Sequence, residues 1–133
     1  MLVLYRLLRP EEEENFMTDG LSAKDINSTV SVNDHVTNGS RGPPSKYISC
    51  SKSEEAIMDF ASKSITQPQT IVKIQIDPDD PSIEIIDLTD RWTLDKHVYV
   101  ESGRNFARKF DEVLIKGHIP PECISVLPIE DLF

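Results

Sequence analysis

The chain has 133 residues, 14 Lys plus Arg against 23 Asp plus Glu, and a formal net charge of −9, a length that suits one domain. Its 38% hydrophobic content supports a core without disulfide staples, and the two cysteines, Cys50 and Cys123, match no zinc spacing, so no metal site is expected. No stretch reads as a membrane span or a signal peptide, and the acidity argues against a protein that coats a nucleic-acid backbone. Localisation, redox compartment and oligomeric state stay open.

The first apolar run, Leu2 to Leu8, is short and bounded by Pro10, so it reads as a strand with Arg6 inside it. Pro10 and the carboxylates Glu11 to Glu14 open a helix: proline fits a first turn, and negative charge favours the positive end of the helix dipole. Gly20 is its natural stop. From Ser22 to Lys46 small polar residues predominate without an apolar stripe, which predicts a long loop holding at most a short helical turn. Between His35 and Ser53 there is no acidic residue, while Arg41, Lys46 and Lys52 add positive charge. Tyr47 to Ser51 predicts a second strand. Ser51 followed by Glu54 has capping-box spacing for a helix whose apolar face is Ala56, Ile57, Phe60 and Ala61.

Ile71 to Ile76 and Ile83 to Ile86 read as strands separated by turn residues from Asp77 to Pro81. The stretch Leu88 to Val100 is ambiguous, with room for a short helix around Thr89 to Trp92. Ser102 is placed to cap a helix through Phe106 and Phe110; Asp111 to Ile115 returns to strand, Gly117 to Pro121 turns the chain, and Ile124 to Ile129 is the final strand. Strands interleaved with two or three helices and ending in a strand pair predict a single α+β domain over residues 1–133 rather than a repeating βαβ sheet.

Four features depart from this packing pattern. Arg6 is a charge within an apolar strand, which fits either a site or an exposed edge. His35 stands in the loop beside Asp34. Ser49-Cys50-Ser51 carries a strand into a helix, and its hydroxyls can equally be tied to backbone. Glu112 enters an apolar strand, where an inward carboxylate is costly unless paired, although an outward-facing strand end accounts for it too.

Taken in order, these residues resemble the mono-ADP-ribosyltransferase toxins of the cholera and heat-labile enterotoxin type. That family has a Tyr-Arg pair in its first strand, as Tyr5-Arg6, soon followed by Arg-Pro, as Arg9-Pro10. It has an Asp-His pair, matched by Asp34-His35, and a strand ending in Ser-Thr-Ser, to which Tyr47-Ile48-Ser49-Cys50-Ser51 is similar. Its catalytic segment has the form Glu-x-Glu-Val followed by Gly-(x)-Ile-Pro. Here the text is Phe110-Asp111-Glu112-Val113, then Gly117-His118-Ile119-Pro120. The likeness runs from Leu4 to Ile129, with only generic strands between Ser64 and Val100.

The resemblance implies two small antiparallel sheets around an NAD cleft and a reaction that breaks the nicotinamide–ribose bond. Glu112 is then catalytic, stabilising the oxocarbenium-like sugar, whose charge is absent in the ground state. Ser49 braces Glu112 or the neighbouring ribose. Arg6 holds cofactor phosphate or ribose through paired hydrogen bonds. His35 completes the ribose and adenosine side, Ser51 caps the helix beside the cofactor, and Tyr47 stacks on a ring or packs inward. Arg41, Lys46 or Lys52 supplies a positive patch for the dianionic cofactor. Phe110 stands where the family's first glutamate orients arginine acceptors, which implies a different acceptor. The alternatives are an NAD glycohydrolase, with water as acceptor, and a catalytically silent binding domain.

Overall fold

The computed structural model describes residues 1–63 and 70–127. Strand β1 (Leu2–Leu7) forms as its sequence predicts, with Leu4 and Arg6 buried on one face. The expected helix after Pro10 does not run through. A 3₁₀ turn covers Pro10–Glu12, and helix α1 (Phe16–Asp19) restarts at Asn15. The Glu12 side chain folds back to accept the Arg9 N–H at 2.8 Å, a local bond that competes with helix propagation. Gly20 ends α1 at φ 77°, and a Cβ there would lie 2.1 Å from the Ile119 carbonyl oxygen, so a side chain is excluded. Strand β2 (Leu21–Ser22) follows.

The predicted loop from Ser22 to Lys46 contains a two-turn helix, α2 (Val32–Asn38), with a 3₁₀ turn at Gly39–Arg41. Ser31 caps it, its Oγ accepting the Asp34 N–H. Only Val32 and Val36 supply its buried apolar side chains, too few to draw a stripe in the sequence. Buried Asn33 fastens it, its Oδ1 accepting the N–H groups of Tyr99 and Val100 at 3.0 and 3.2 Å.

Strand β3 (Tyr47–Ser51) leads to α3 (Glu54–Ser62), whose cap is Ser53 rather than Ser51. Ser53 Oγ accepts the Ala56 N–H at 3.0 Å, while Ser51 Oγ accepts the Ser53 N–H and so shapes the approach to the helix. The chain stays extended two residues longer than the Ser51–Glu54 spacing suggested. Strands β4 (Ile71–Ile76) and β5 (Glu84–Asp87) agree with expectation to within a residue. Helix α4 (Arg91–His97) lies further along than Thr89 to Trp92 because Asp90 caps it through the Thr93 N–H. Helix α5 (Glu101–Lys109) begins after Val100 with no side-chain cap, so Ser102 is inside its first turn. Phe110 ends α5, Asp111 turns the chain at φ 45°, and β6 (Glu112–Lys116) starts at the glutamate. Strands β7 (His118–Ile119) and β8 (Ile124–Val126) complete the order; positions 128 and 129 of the expected last strand lie outside the described residues.

Six strands form one antiparallel sheet in the order β5-β6-β3-β1-β4-β8, and β2 pairs with β7 as a separate ribbon. The fold is α+β, with five helices among the described residues instead of two or three. Instead of the expected two small sheets there is one six-stranded sheet with a two-stranded ribbon, and the large sheet divides into two leaves between β1 and β3. Strand β1 pairs along its length with β4, and β3 along its length with β6, but β1 meets β3 at the single position Tyr5↔Ser51.

Side-chain alternation then decides what faces where. Ile48, Cys50, Val113 and Ile115 join Leu4 and Ile74 in the main core. Tyr47 and Leu114 go to the opposite face, against Val32, Val36, Leu94, Val98 and Ala107 of the helices. Ser49, Ser51 and Glu112 share their parity and lie on that face, while Arg6 shares the parity of Leu4 and reaches the seam from the core side. Helices α2 and α5 meet closely at Gly103, where a Cβ would fall 2.4 Å from Thr37 Oγ1. Gly103→Ala is expected to push them apart and lower the unfolding free energy by about 1–3 kcal/mol in a urea titration.

Candidate functional site

A cavity of about 530 Å³ opens at the seam between the two leaves, within the size range of small-molecule sites. Arg6, His35, Tyr47, Ser49, Ser51 and Glu112 all line it, so these six candidate site residues reach one cavity. Arg6 arrives from β1, His35 from α2, Tyr47, Ser49 and Ser51 from β3, and Glu112 from the first position of β6.

Arg6 spans the seam. Its Nη1 donates to the Ser49 carbonyl oxygen at 2.6 Å, where the β1–β3 ladder has already stopped, and its Nη2 donates to Glu12 Oε1 and Oε2 at 3.0 and 3.2 Å. Both members of this ion pair are buried. Burial works to raise the Glu12 carboxyl, but the Arg6 charge and the Arg9 N–H outweigh it and leave the group below the ordinary carboxylate value. Arg6 Nε is buried without a hydrogen-bond partner and remains a free donor.

Glu112 is 4% exposed. Burial lifts its carboxyl to about 7, against the opposing pull of the Ser49 hydroxyl and the Arg6 charge. The expectation of a costly inward carboxylate is met; an outward strand end is not what the chain adopts. Ser49 Oγ also lies 2.8 Å from His35 Nε2, and His35 Nδ1 contacts Ser45 Oγ, which accepts the Tyr47 N–H. Burial, with Arg6 and Lys24 nearby, pushes the imidazole down to about 4, so the ring is neutral near pH 7. Ser45, His35 and Ser49 thus form one chain of hydrogen bonds, and it ends beside Glu112. Tyr47 holds the imidazole edge-on, ring centroids 5.7 Å apart.

Two expectations change. Ser51 is no helix cap, as described above. Of the proposed positive patch, Lys52 is paired with Asp87 and Thr89, and Lys46 lies over the Tyr47 ring; neither lines the cavity. Arg41 does, joined by Arg9 and Lys24. Cys50 is buried and its thiol is pushed up to about 12 by burial, so it is an inert packing group.

Glu12 and Ser45 are site residues that the sequence did not reveal. Glu12 is one of four consecutive glutamates, and only the fold selects it. Ser45 follows Pro43-Pro44 in a polar stretch with no periodicity to set its direction.

The same architecture occurs elsewhere. A solved structure, EcPltA, superposes with a TM-score of 0.61 at 19% sequence identity, covering 96% of this chain and 83% of that one. The chain shares the fold of EcPltA. No known family's sequence profile matches it, and no curated protein does.

Proposed function

We propose that the protein is an NAD-dependent mono-ADP-ribosyltransferase, with an acceptor other than arginine. The observation that carries the reading is the meeting of Arg6, His35, Ser49 and Glu112 at one cavity, because these are the residues to which the family resemblance gives roles. NAD enters as substrate. Glu112 faces the nicotinamide-side ribose and stabilises the cation that grows as the bond to nicotinamide stretches, in a site where low dielectric strengthens the effect. Ser49 orients that carboxylate, and the neutral His35 orients Ser49. Arg6 Nε donates to a cofactor oxygen, with Arg9, Lys24 and Arg41 giving the cavity the positive potential that the acidic chain as a whole lacks.

The test is direct. Incubation with NAD labelled on nicotinamide is expected to release label, and adenosine-labelled NAD is expected to mark an acceptor in a cell extract. Release in buffer alone at the same rate as in extract assigns water as the acceptor and a glycohydrolase activity. No release under any condition overturns the reading and leaves the silent binding domain.

Only ionised Glu112 can stabilise a cation. Its carboxyl titrates at about 7, so kcat/KM for nicotinamide release is expected to climb from pH 5 to a plateau above about pH 8. A rate that is flat across this range contradicts the role given to Glu112.

A further inference from the structure

Phe110 ends α5 two residues before Glu112, and the turn at Asp111 lets both side chains line the cavity. It does not stand alone. Phe60 from α3 meets it edge to face, centroids 5.5 Å apart at 85°, and Phe106 from α5 tilts against it at 4.6 Å. Phe110 is 9% exposed, whereas Phe106 and Phe60 are 37% and 41% exposed and also line the cavity. An aromatic wall therefore runs from beside Glu112 to open solvent. The charges lining the cavity are one-sided: among the described residues Glu112 is the sole carboxylate, against Arg6, Arg9, Lys24 and Arg41. A cationic group at this wall meets repulsion from the basic side chains and finds no spare carboxylate. A flat neutral ring meets faces and edges that stack, and bases stack on aromatic side chains with little regard to identity.

We propose that Phe60, Phe106 and Phe110 form the acceptor subsite, and that the acceptor is an uncharged heteroaromatic ring of the purine type attacking through a ring nitrogen. This rests on the transferase reading above. In the step, the bond from ribose C1′ to the nicotinamide nitrogen breaks and its electron pair leaves with nicotinamide as a neutral base. The lone pair of an unprotonated ring nitrogen of the acceptor forms the new bond to C1′, and the positive charge that left the nicotinamide nitrogen passes to the acceptor ring, with the Glu112 carboxylate facing the sugar throughout.

The test offers guanosine, adenosine and agmatine, a guanidinium compound, as acceptors with NAD. Nicotinamide release and adduct formation are both followed by mass spectrometry. A nucleoside adduct without an agmatine adduct is expected. Phe110→Leu, which keeps apolar bulk but removes the ring, is expected to lower the ratio of nucleoside adduct to free ADP-ribose about tenfold, and Phe110→Tyr to restore it. Phe106→Ala, at a half-exposed position, is expected to lower the ratio in the same direction. Nicotinamide release with no nucleoside adduct, an agmatine adduct, or a ratio indifferent to Phe110→Leu overturns the subsite while leaving the transferase reading in place. No nicotinamide release from the wild-type protein overturns both.

Discussion

Glu112→Gln is expected to cut nicotinamide release by a factor on the order of 10²–10³, the usual effect of removing one preorganised charge-stabilising group. The amide keeps the size and most hydrogen-bonding reach of the carboxylate, so the cavity stays closed around it and the loss falls on the rate. The same substitution carries a second, opposite signature. Glu112 titrates at about 7 in the fold against an ordinary value of 4.5. The folded state thus holds its proton while the unfolded chain loses it, and wild-type stability drains away as pH rises from 4.5 to 7. Above pH 7 the loss is complete. Glutamine has no proton to lose, so Glu112→Gln is expected to melt higher than wild type at pH 8 and to show no such advantage at pH 4.5. Thermal melts at the two pH values, read beside the activity, check both arms. A variant that is inactive and also less stable at pH 8 points to a structural role for Glu112 instead.

The second large effect is expected at the Arg6–Glu12 pair. Glu12→Ala leaves a guanidinium buried without its carboxylate, and Arg6→Ala strips the buried carboxylate to its Arg9 donors and takes the Arg6 donor from the Ser49 carbonyl. Breaking a buried pair from either side costs about 3–5 kcal/mol, which is a large part of the stability of a domain this size. Chemical denaturation of both single variants measures it. Replacing both residues with apolar side chains of similar volume is expected to recover part of the loss, as it removes the stranded charge. Arg6 is therefore more than a cofactor contact: a fall in NAD binding after its removal has to be read against the stability of the variant.

The parts of this molecule that were legible in its sequence are those where local chemistry and tertiary packing agree. The strands Leu2–Leu7, Tyr47–Ser51 and Ile71–Ile76 carry enough β-branched and alternating residues to be read directly. Arg6, Ser49 and Glu112 stood out because each is polar in an apolar run. Helix α2 was hidden because its anchoring depends on Asn33 gripping two amides more than sixty residues away, a contact with no local trace. The cap of α3 was misplaced by two residues because Ser51 and Ser53 are both competent caps, and the register of β3 against β6 decides between them. Phe60 and Phe106 read as the core faces of two helices. Their exposure at one cavity follows from how α3 and α5 converge beyond the sheet, which neither periodicity encodes.

The single bridge between β1 and β3 has a mechanical meaning. The two leaves share one core, but their backbones are joined only at Tyr5↔Ser51 and by the Arg6 bond to the Ser49 carbonyl, and the cavity lies along that joint. Arg6 belongs to one leaf and Ser49 with Glu112 to the other. A ligand that touches all three ties the leaves together, so its binding free energy is at the same time cohesion of the sheet, growing with ligand concentration by mass action. The line at which the β1–β3 ladder is interrupted is also the line along which the cavity lies.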